Sequence, residues 1–239
     1  MKILKNIFLG KKILIYGLGK SGISTFKFLK KRTDVYLFDD DQKINQKLIS
    51  INQVIKIKFD RIIISPGIDI SNCKLSRFLH KNLDKIYTDL DVFYSFYKNT
   101  SIAITGTNGK STTAKILFDI LNDQKKDVRL IGNIGNPALS EKKISKKTFF
   151  VIEVSSYQLE YSRIFSAKYV VILNISADHI ERHKNLTNYV NAKFKLLDSQ
   201  SDKSFAFVKK NDHLIFKKIR KSKFKSKIYR VSTLNINKL

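Results

Sequence analysis

Two short glycine turns hold the residue types from which chemistry could be built. In both, an apolar run gives way to an amphipathic one. The first is Gly17-Leu18-Gly19-Lys20-Ser21-Gly22, a GxGxxG pattern. Glycines there permit a tight turn and close approach of the backbone to a diphosphate, whose charge the first N–H groups of a helix can hold. Asp39 stands twenty residues beyond Gly19, at the end of the next apolar run, where a carboxylate can accept from a ribose or a base. Alone, this pattern suggests a nicotinamide dinucleotide. A glycine turn that only packs helix on strand is the alternative these residues leave open.

The second turn is Gly106-Thr107-Asn108-Gly109-Lys110-Ser111-Thr112. Its backbone N–H groups and Lys110 would hold the β- and γ-phosphates of ATP, and a hydroxyl of Ser111 or Thr112 would reach Mg²⁺. A strict phosphate loop has a further glycine at position 104, which here is Ile104, so the loop is a variant. Lysine has little packing value at a strand-to-helix glycine turn, and hydride transfer has no use for a second phosphate site. Glu153 closes an apolar run. A carboxylate buried there is costly unless it meets a metal or a charge; an exposed strand-end acid is the alternative. His179 falls just past the run 169–175, where an α/β sheet presents its ligands. A lone histidine at such a place is more often structural.

The elements that must position these residues are legible as periodicity. Residues 12–17, 35–39, 61–65, 101–105, 149–154 and 169–175 read as buried strands, and 21–31, 110–121 and 188–199 as helices. Strand–helix alternation predicts an α/β fold of parallel sheets covered by helices, in two successive units that meet near residue 98.

Composition decides less. The formal charge of +26 invites a nucleic-acid reading. Yet 8 of the 46 basic residues are Arg and 38 are Lys, whereas readers of bases and phosphates lean on Arg forks. The lysines are spread along the chain except in 209–230, where ten basic residues face one acidic residue; this segment reads as a solvated face. One cysteine, Cys73, excludes an internal disulfide framework and a Cys-rich zinc site, and reads as a small buried hydrophobe. Lys11 and Lys12 break the apolar run of the N-terminal stretch, no small-residue cleavage site follows it, and no segment approaches the ~18 apolar residues of a membrane span. A cytoplasmic chain without membrane insertion or nucleic-acid partner is expected.

Taken together these residues resemble the Mur ligases, whose ATP loop runs G-T-N-G-K-[ST]-[ST]. The likeness extends over almost the whole chain: Ser65-Pro66-Gly67, Gly132 to Gly135, VIEVSSYQLE at 151–160 and LNISADHIERH at 173–183. The segment Ser155-Ser156-Tyr157-Gln158-Leu159-Glu160 is similar to the D-glutamate-adding branch of the family. Folylpolyglutamate synthetases share the style of the ATP loop but not this segment. The resemblance implies a Rossmann-like domain at 1–98 that binds a UDP-linked precursor, then a P-loop-type ATP-binding α/β domain at 99–239, incomplete. A third domain found in the family is not expected within these residues; a fragment or a truncated product, a monomer, is expected to be inactive alone and to leave apolar surface uncovered.

The resemblance also implies an ATP-dependent ligase of peptidoglycan precursor synthesis that joins D-glutamate to UDP-N-acetylmuramoyl-L-alanine through an acyl phosphate. Gly19, Lys20, Ser21, Asp39, Gly67 and Asn133 would then hold the UDP precursor, with Asp40 and Asp41 able to share the role of Asp39. Residues Gly106 to Thr112 would hold ATP, and Lys110, His179 and Lys193 would be catalytic. Ser111, Glu153, His179 and Lys193 would support two Mg²⁺. Lys193, fourteen residues after His179, matches a lysine that carries a carbamate. Carbamylation needs neutral amine, roughly one molecule in a thousand at pH 7.4 for an ordinary lysine.

Overall fold

The computed structural model describes residues 6–41 and 44–232. The start of the N-terminal stretch, 1–5, and the last residues of the expected second domain, 233–239, lie outside the described residues. The chain condenses into two compact units.

The first unit comprises Met1–Lys98, Pro137–Lys142 and Tyr161–Phe165. Its elements are β1 (Lys12–Tyr16), α1 (Lys20–Leu29), β2 (Asp34–Phe38), α2 (Ile51–Lys56), β3 (Arg61–Ile64), α3 (Ser76–Lys81), β4 (Ile86–Tyr87) and α4 (Asp89–Phe96). The strands form one parallel sheet in the order β2-β1-β3-β4. Ile13, Leu14, Ile15 and Tyr16 of β1 are all buried, the continuous apolar run that a parallel strand covered on both faces requires. Capping boxes start α2 (Ser50 with Gln53) and α4 (Thr88 with Asp91), so both helix starts are fixed by local sequence. Asp91 does more than cap. Its buried carboxylate also accepts from the Ser162 hydroxyl and from the N–H groups of Arg163, Ile164 and Phe165, which ties the segment Tyr161–Phe165 to this unit. Cys73 is half-buried against the core.

The second unit comprises Asn99–Asn136, Lys143–Glu160 and Ser166–Leu239. It contains β5 (Ser101–Thr105), α5 (Lys110–Asp123), β6 (Val128–Gly132), β7 (Phe149–Glu153), α6 (Ser156–Glu160), β8 (Tyr169–Ile172), α7 (Ile180–His183), α8 (Leu186–Asp198), β9 (Phe205–Lys209), α9 (His213–Lys221) and β10 (Lys227–Val231). All pairings are parallel, in the order β10-β9-β8-β5-β7-β6. Ile104, Ala114, Val128 and Val151 form a core between α5 and the β5–β7–β6 half of the sheet. The β8–β10 half carries an aromatic ladder, Tyr169 on Phe205 and Phe207 on Tyr229, with Tyr229 and Val231 about half exposed. The basic segment 209–230 becomes the last residue of β9, then α9 and most of β10; Asp212 caps α9 while its other oxygen accepts from Ile175 N–H. Most of its lysines are exposed. Among the described residues no helix is long and apolar enough to cross a membrane.

Candidate functional site

Each glycine turn follows the strand at which its sheet changes direction. In the first unit the chain passes from β1 to β2 on one side and to β3 on the other, so the carboxyl ends of β1 and β3 open a crevice. Gly17 to Gly19 leave β1 and Ser65-Pro66-Gly67 leave β3. The Ser65 hydroxyl donates to Gly17 O (2.6 Å). A Cβ on Gly22 would lie 1.9 Å from Gly17 O, so only glycine lets α1 approach the turn. Helix α1 starts with Lys20 and Ser21, with no side-chain cap and no acid in its first turn. Its N–H groups therefore present their partial positive charge with no acid of the helix's own first turn beside them. Cβ atoms on Gly19 or Gly67 would meet no protein atom within 4 Å, so internal packing is not the reason for glycine at either position.

Asp39 is placed differently from the simplest reading of its position. Its Oδ2 accepts from Leu18 N–H (2.5 Å) and its Oδ1 from Asp41 N–H (2.9 Å), so the carboxylate shapes the turn itself. Tyr16 donates to Asp40 (2.8 Å). Behind Ser21 lies Asp89, buried and hydrogen-bonded by the Ser21 side chain; burial pushes its carboxyl pKa up. Sequence reasoning missed Asp89, which lies outside every motif read from the sequence.

In the second unit the switch falls between β5 and β8. The turn Gly106 to Gly109 leaves β5, Leu173 and Asn174 leave β8, and Glu153 ends β7. Glu153 is 1% exposed. Its Oε2 accepts from Ser111 Oγ (2.9 Å) and its Oε1 from Asn133 Nδ2 (3.0 Å). Gly132, at φ 108°, makes this possible: a Cβ there would sit 2.2 Å from Glu153 O. Asn133 is thus placed in this unit, against Glu153. Lys110 folds back to donate to Thr107 O (2.8 Å), and Lys193, 1% exposed on α8, donates to Gly106 O (2.8 Å). Burial, then the Lys110 charge, brings the Lys193 pKa down to about 7, with Asp178 opposing. The Gly109, Lys110, Ser111 and Thr112 N–H groups open α5, where no acid competes for them.

His179 makes its contacts with Tyr157, Asp178, Glu181 and Tyr189. It occupies the left-handed region (φ 52°) at the head of α7, uncommon for a non-glycine residue. Its ring lies 4.8 Å from that of Tyr157 and 3.4 Å from the Asp178 carboxylate. Beneath it, His183 is 3% exposed, hydrogen-bonded to Ser156 Oγ (3.0 Å) and stacked on Tyr157. Burial, then the charges of Arg182, His179 and Lys193, lowers its pKa to about 4. Tyr189 joins the cluster to the turn: its hydroxyl is 3.1 Å from Thr107 Oγ1 and its ring lies 4.6 Å from Lys193 Nζ. Tyr189 was findable, being one helical turn before Lys193 and so on the same face of α8. Arg182 pairs with Glu160 (2.9 Å), holding α7 to α6.

Among the described residues, no group of three His, Cys, Asp or Glu converges to hold a metal. The donor set at Ser111 and Glu153 is nonetheless hard oxygen, with both carboxylate oxygens held by neutral donors. Mg²⁺ takes one or two carboxylates and completes its shell with waters and phosphate oxygens, so these residues fit it.

The Mur ligase middle domain matches residues 104–238. The chain is 37% identical to the UDP-N-acetylmuramoylalanine–D-glutamate ligase of Rickettsia felis, over 83% of this chain and 46% of that protein. It is 34% identical to the enzyme of the same name from Caldicellulosiruptor bescii, over 86% of this chain and 48% of that one. The chain spans about half the length of the curated relatives it matches. Among solved structures, the UDP-N-acetylmuramate:L-alanyl-gamma-D-glutamyl-meso-diaminopimelate ligase of Neisseria meningitidis shares the fold with a TM-score of 0.61 at 13% identity, covering 92% of this chain and 78% of that one.

Proposed function

The chain belongs to the Mur ligase family, and from that premise we propose that it carries the precursor-binding and ATP-handling parts of the ligase that adds D-glutamate to UDP-N-acetylmuramoyl-L-alanine in peptidoglycan precursor synthesis. The observation that carries the reading is the second turn, where Lys110, Lys193, Ser111 and Glu153 converge on Gly106 to Thr112. The names of the relatives at 34% and 37% identity support the choice of D-glutamate as the amine and of the UDP-linked alanine as the acid.

The difficulty of the reaction is electrostatic, since a carboxylate must meet the γ-phosphate of ATP and become an acyl phosphate before the amine attacks. Lys110 and the N–H groups that open α5 address the phosphates, preorganised where negative charge accumulates. Ser111 and Glu153 would hold Mg²⁺, which would neutralise phosphate charge during the transfer. His179 on the rim is the proposed ligand for a second ion, together with Lys193 as its carbamate. Burial and the Lys110 charge bring the Lys193 pKa down to about 7, which raises the share of the neutral amine that carbamylation needs. In the first unit, the open backbone of Gly19 and Gly67 and the uncapped start of α1 at Lys20 and Ser21 suit a diphosphate, with Asp39 bracing the turn.

The test is calorimetry with UDP-N-acetylmuramoyl-L-alanine, NAD and single-stranded DNA side by side, and with ATP and Mg²⁺ separately. The UDP precursor and ATP should bind, in separate titrations and without competing. Tighter binding of NAD than of the precursor, or of DNA than of either, would overturn the assignment. Equilibration with ¹³C-bicarbonate should give a carbamate carbon signal that disappears in Lys193→Met; the same signal in the variant would leave Lys193 a plain lysine.

A further inference from the structure

Asn174 lies two residues beyond β8, carries no charge, and contacts the nucleotide turn through three of its atoms. Its main-chain oxygen accepts from Thr107 N–H (2.9 Å), its Oδ1 from Asn108 N–H (2.9 Å), and its Nδ2 donates to Asn108 O (3.0 Å). A carboxamide offers an acceptor and a donor on one plane. The N–H and C=O of Asn108 together fix which end of the amide is which.

The consequence follows peptide by peptide, because a trans peptide points its C=O and N–H in opposite directions. Between Gly106 and Thr107 the N–H faces Asn174, so Gly106 C=O faces away, where Lys193 Nζ reaches it at 2.8 Å. Between Thr107 and Asn108 the N–H again faces Asn174, and Thr107 C=O faces away to receive Lys110 Nζ at 2.8 Å. The third peptide is reversed. Asn108 C=O faces Asn174, so the Gly109 N–H is turned away from it. The reversal is made at Asn108, which joins the second and third peptides, and Gly109, in the left-handed region at φ 81°, then leads the chain into α5.

We propose that Asn174 is a positioning residue for the nucleotide: by fixing three successive peptide planes it places the acceptors of Lys110 and Lys193 and turns the Gly109 N–H toward the bound phosphate. The inference rests on reading this turn as the ATP site. Without the carboxamide the peptide between Asn108 and Gly109 is free to flip, and a flip sets a carbonyl oxygen where an anion needs a donor. Asn174→Asp keeps an acceptor for Asn108 N–H but loses the donor to Asn108 O. Asn174→Ala loses both.

The experiment uses the 239-residue chain in two measurements. Amide exchange by NMR without ligand should show slow exchange at Thr107 and Asn108. In Asn174→Ala, Asn108 should become about tenfold faster while Thr107, bonded to the main chain of residue 174, stays slow. In Asn174→Asp, Asn108 should stay slow. Calorimetry with ATP and Mg²⁺ should show about tenfold weaker binding in both variants, with affinity for UDP-N-acetylmuramoyl-L-alanine unchanged. The Asp variant, protected at Asn108 yet weak for ATP, separates positioning from mere loosening of the loop. ATP binding within twofold of the parent in Asn174→Ala would overturn the inference, and so would fast exchange of Asn108 in the parent. Failure of the parent to bind ATP at all would strike the nucleotide reading itself and this inference with it.

Discussion

The turns Gly17 to Ser21 and Gly106 to Ser111 each leave a strand flanked by neighbours on both sides and enter a helix with no acid in its first turn. The groups that hold them differ in sign. The first is held by the Asp39 carboxylate on Leu18 N–H and the Ser65 hydroxyl on Gly17 O, with the buried Asp89 behind Ser21. The second is held by a neutral carboxamide and by the Nζ groups of Lys110 and Lys193, and the carboxylate bonded to it, Glu153, touches the helix through Ser111. A site that only binds a diphosphate can use an anion as a brace, because the helix N–H groups outweigh it locally. A site where negative charge accumulates during reaction needs cations set in place beforehand.

The largest expected effect tests the cationic turn. In a chimera that supplies the remaining length of the relatives, Lys110→Ala should lower ADP release in the presence of both proposed substrates by about 10²–10³, with precursor affinity unchanged. Residual activity within tenfold would remove the electrostatic contrast between the turns. Next comes Gly22→Ala. A Cβ 1.9 Å from a backbone oxygen cannot be accommodated by a rotamer change, so a loss of roughly 3 kcal/mol in the first unit is expected, the upper end for overpacking. Urea denaturation followed at amides of both units should show that loss in the first unit only; a matching loss in the second would contradict it.

Acid should separate the units in opposite directions. His183 has its pKa lowered from 6.5 to about 4, so its contribution is complete above 6.5 and is lost as pH falls from 6.5 through 4, up to roughly 3 kcal/mol. Asp89 has its pKa raised by burial, so the folded first unit takes up that proton before the unfolded chain does and gains stability as pH falls through the raised value. Urea midpoints at pH 7 and pH 4.5 should therefore drop for the second unit alone. His183→Gln, which keeps a partner for Ser156 without titrating, should flatten that drop. An unchanged slope in the variant would assign the acid sensitivity elsewhere.

How much of this was legible depended on whether the signal was local. The buried strands at 12–17, 101–105 and 149–154 each contain an unbroken apolar run (13–16, 102–104 and 149–152), and each turn's glycines and lysine lie close together in sequence, so fold class and both turns could be read directly. Strand β4, with two residues, and β10, with Lys227 and Arg230 among its five, lack such a run. The burial of Glu153 was inferable from its strand end. The clamp by Asn174 was not, because it joins residues 66 apart and depends on peptide directions that composition does not encode. Asp91 makes the same point, since its caps are local but its hold on Ser162 to Phe165 is not.

The smallest effect belongs to Asp39 and decides how the anionic brace works. Asp39→Asn keeps one acceptor, so one of the two N–H groups now on the carboxylate, Leu18 or Asp41, loses its partner. A single hydrogen bond of this kind is worth about 1 kcal/mol, and removal of a negative charge near a diphosphate offsets part of that. Precursor affinity should therefore fall only about threefold, with ATP binding at the other turn untouched. The direction of the loss across ligands separates two roles. If Asp39 acts by shaping the turn, UDP and inorganic pyrophosphate should weaken by the same factor, because both sit on the same N–H groups. If it also accepts from the ribose or the uracil, UDP should weaken and pyrophosphate should not. Equal loss of precursor and ATP would make the residue merely structural and would end the comparison of the two turns at this point.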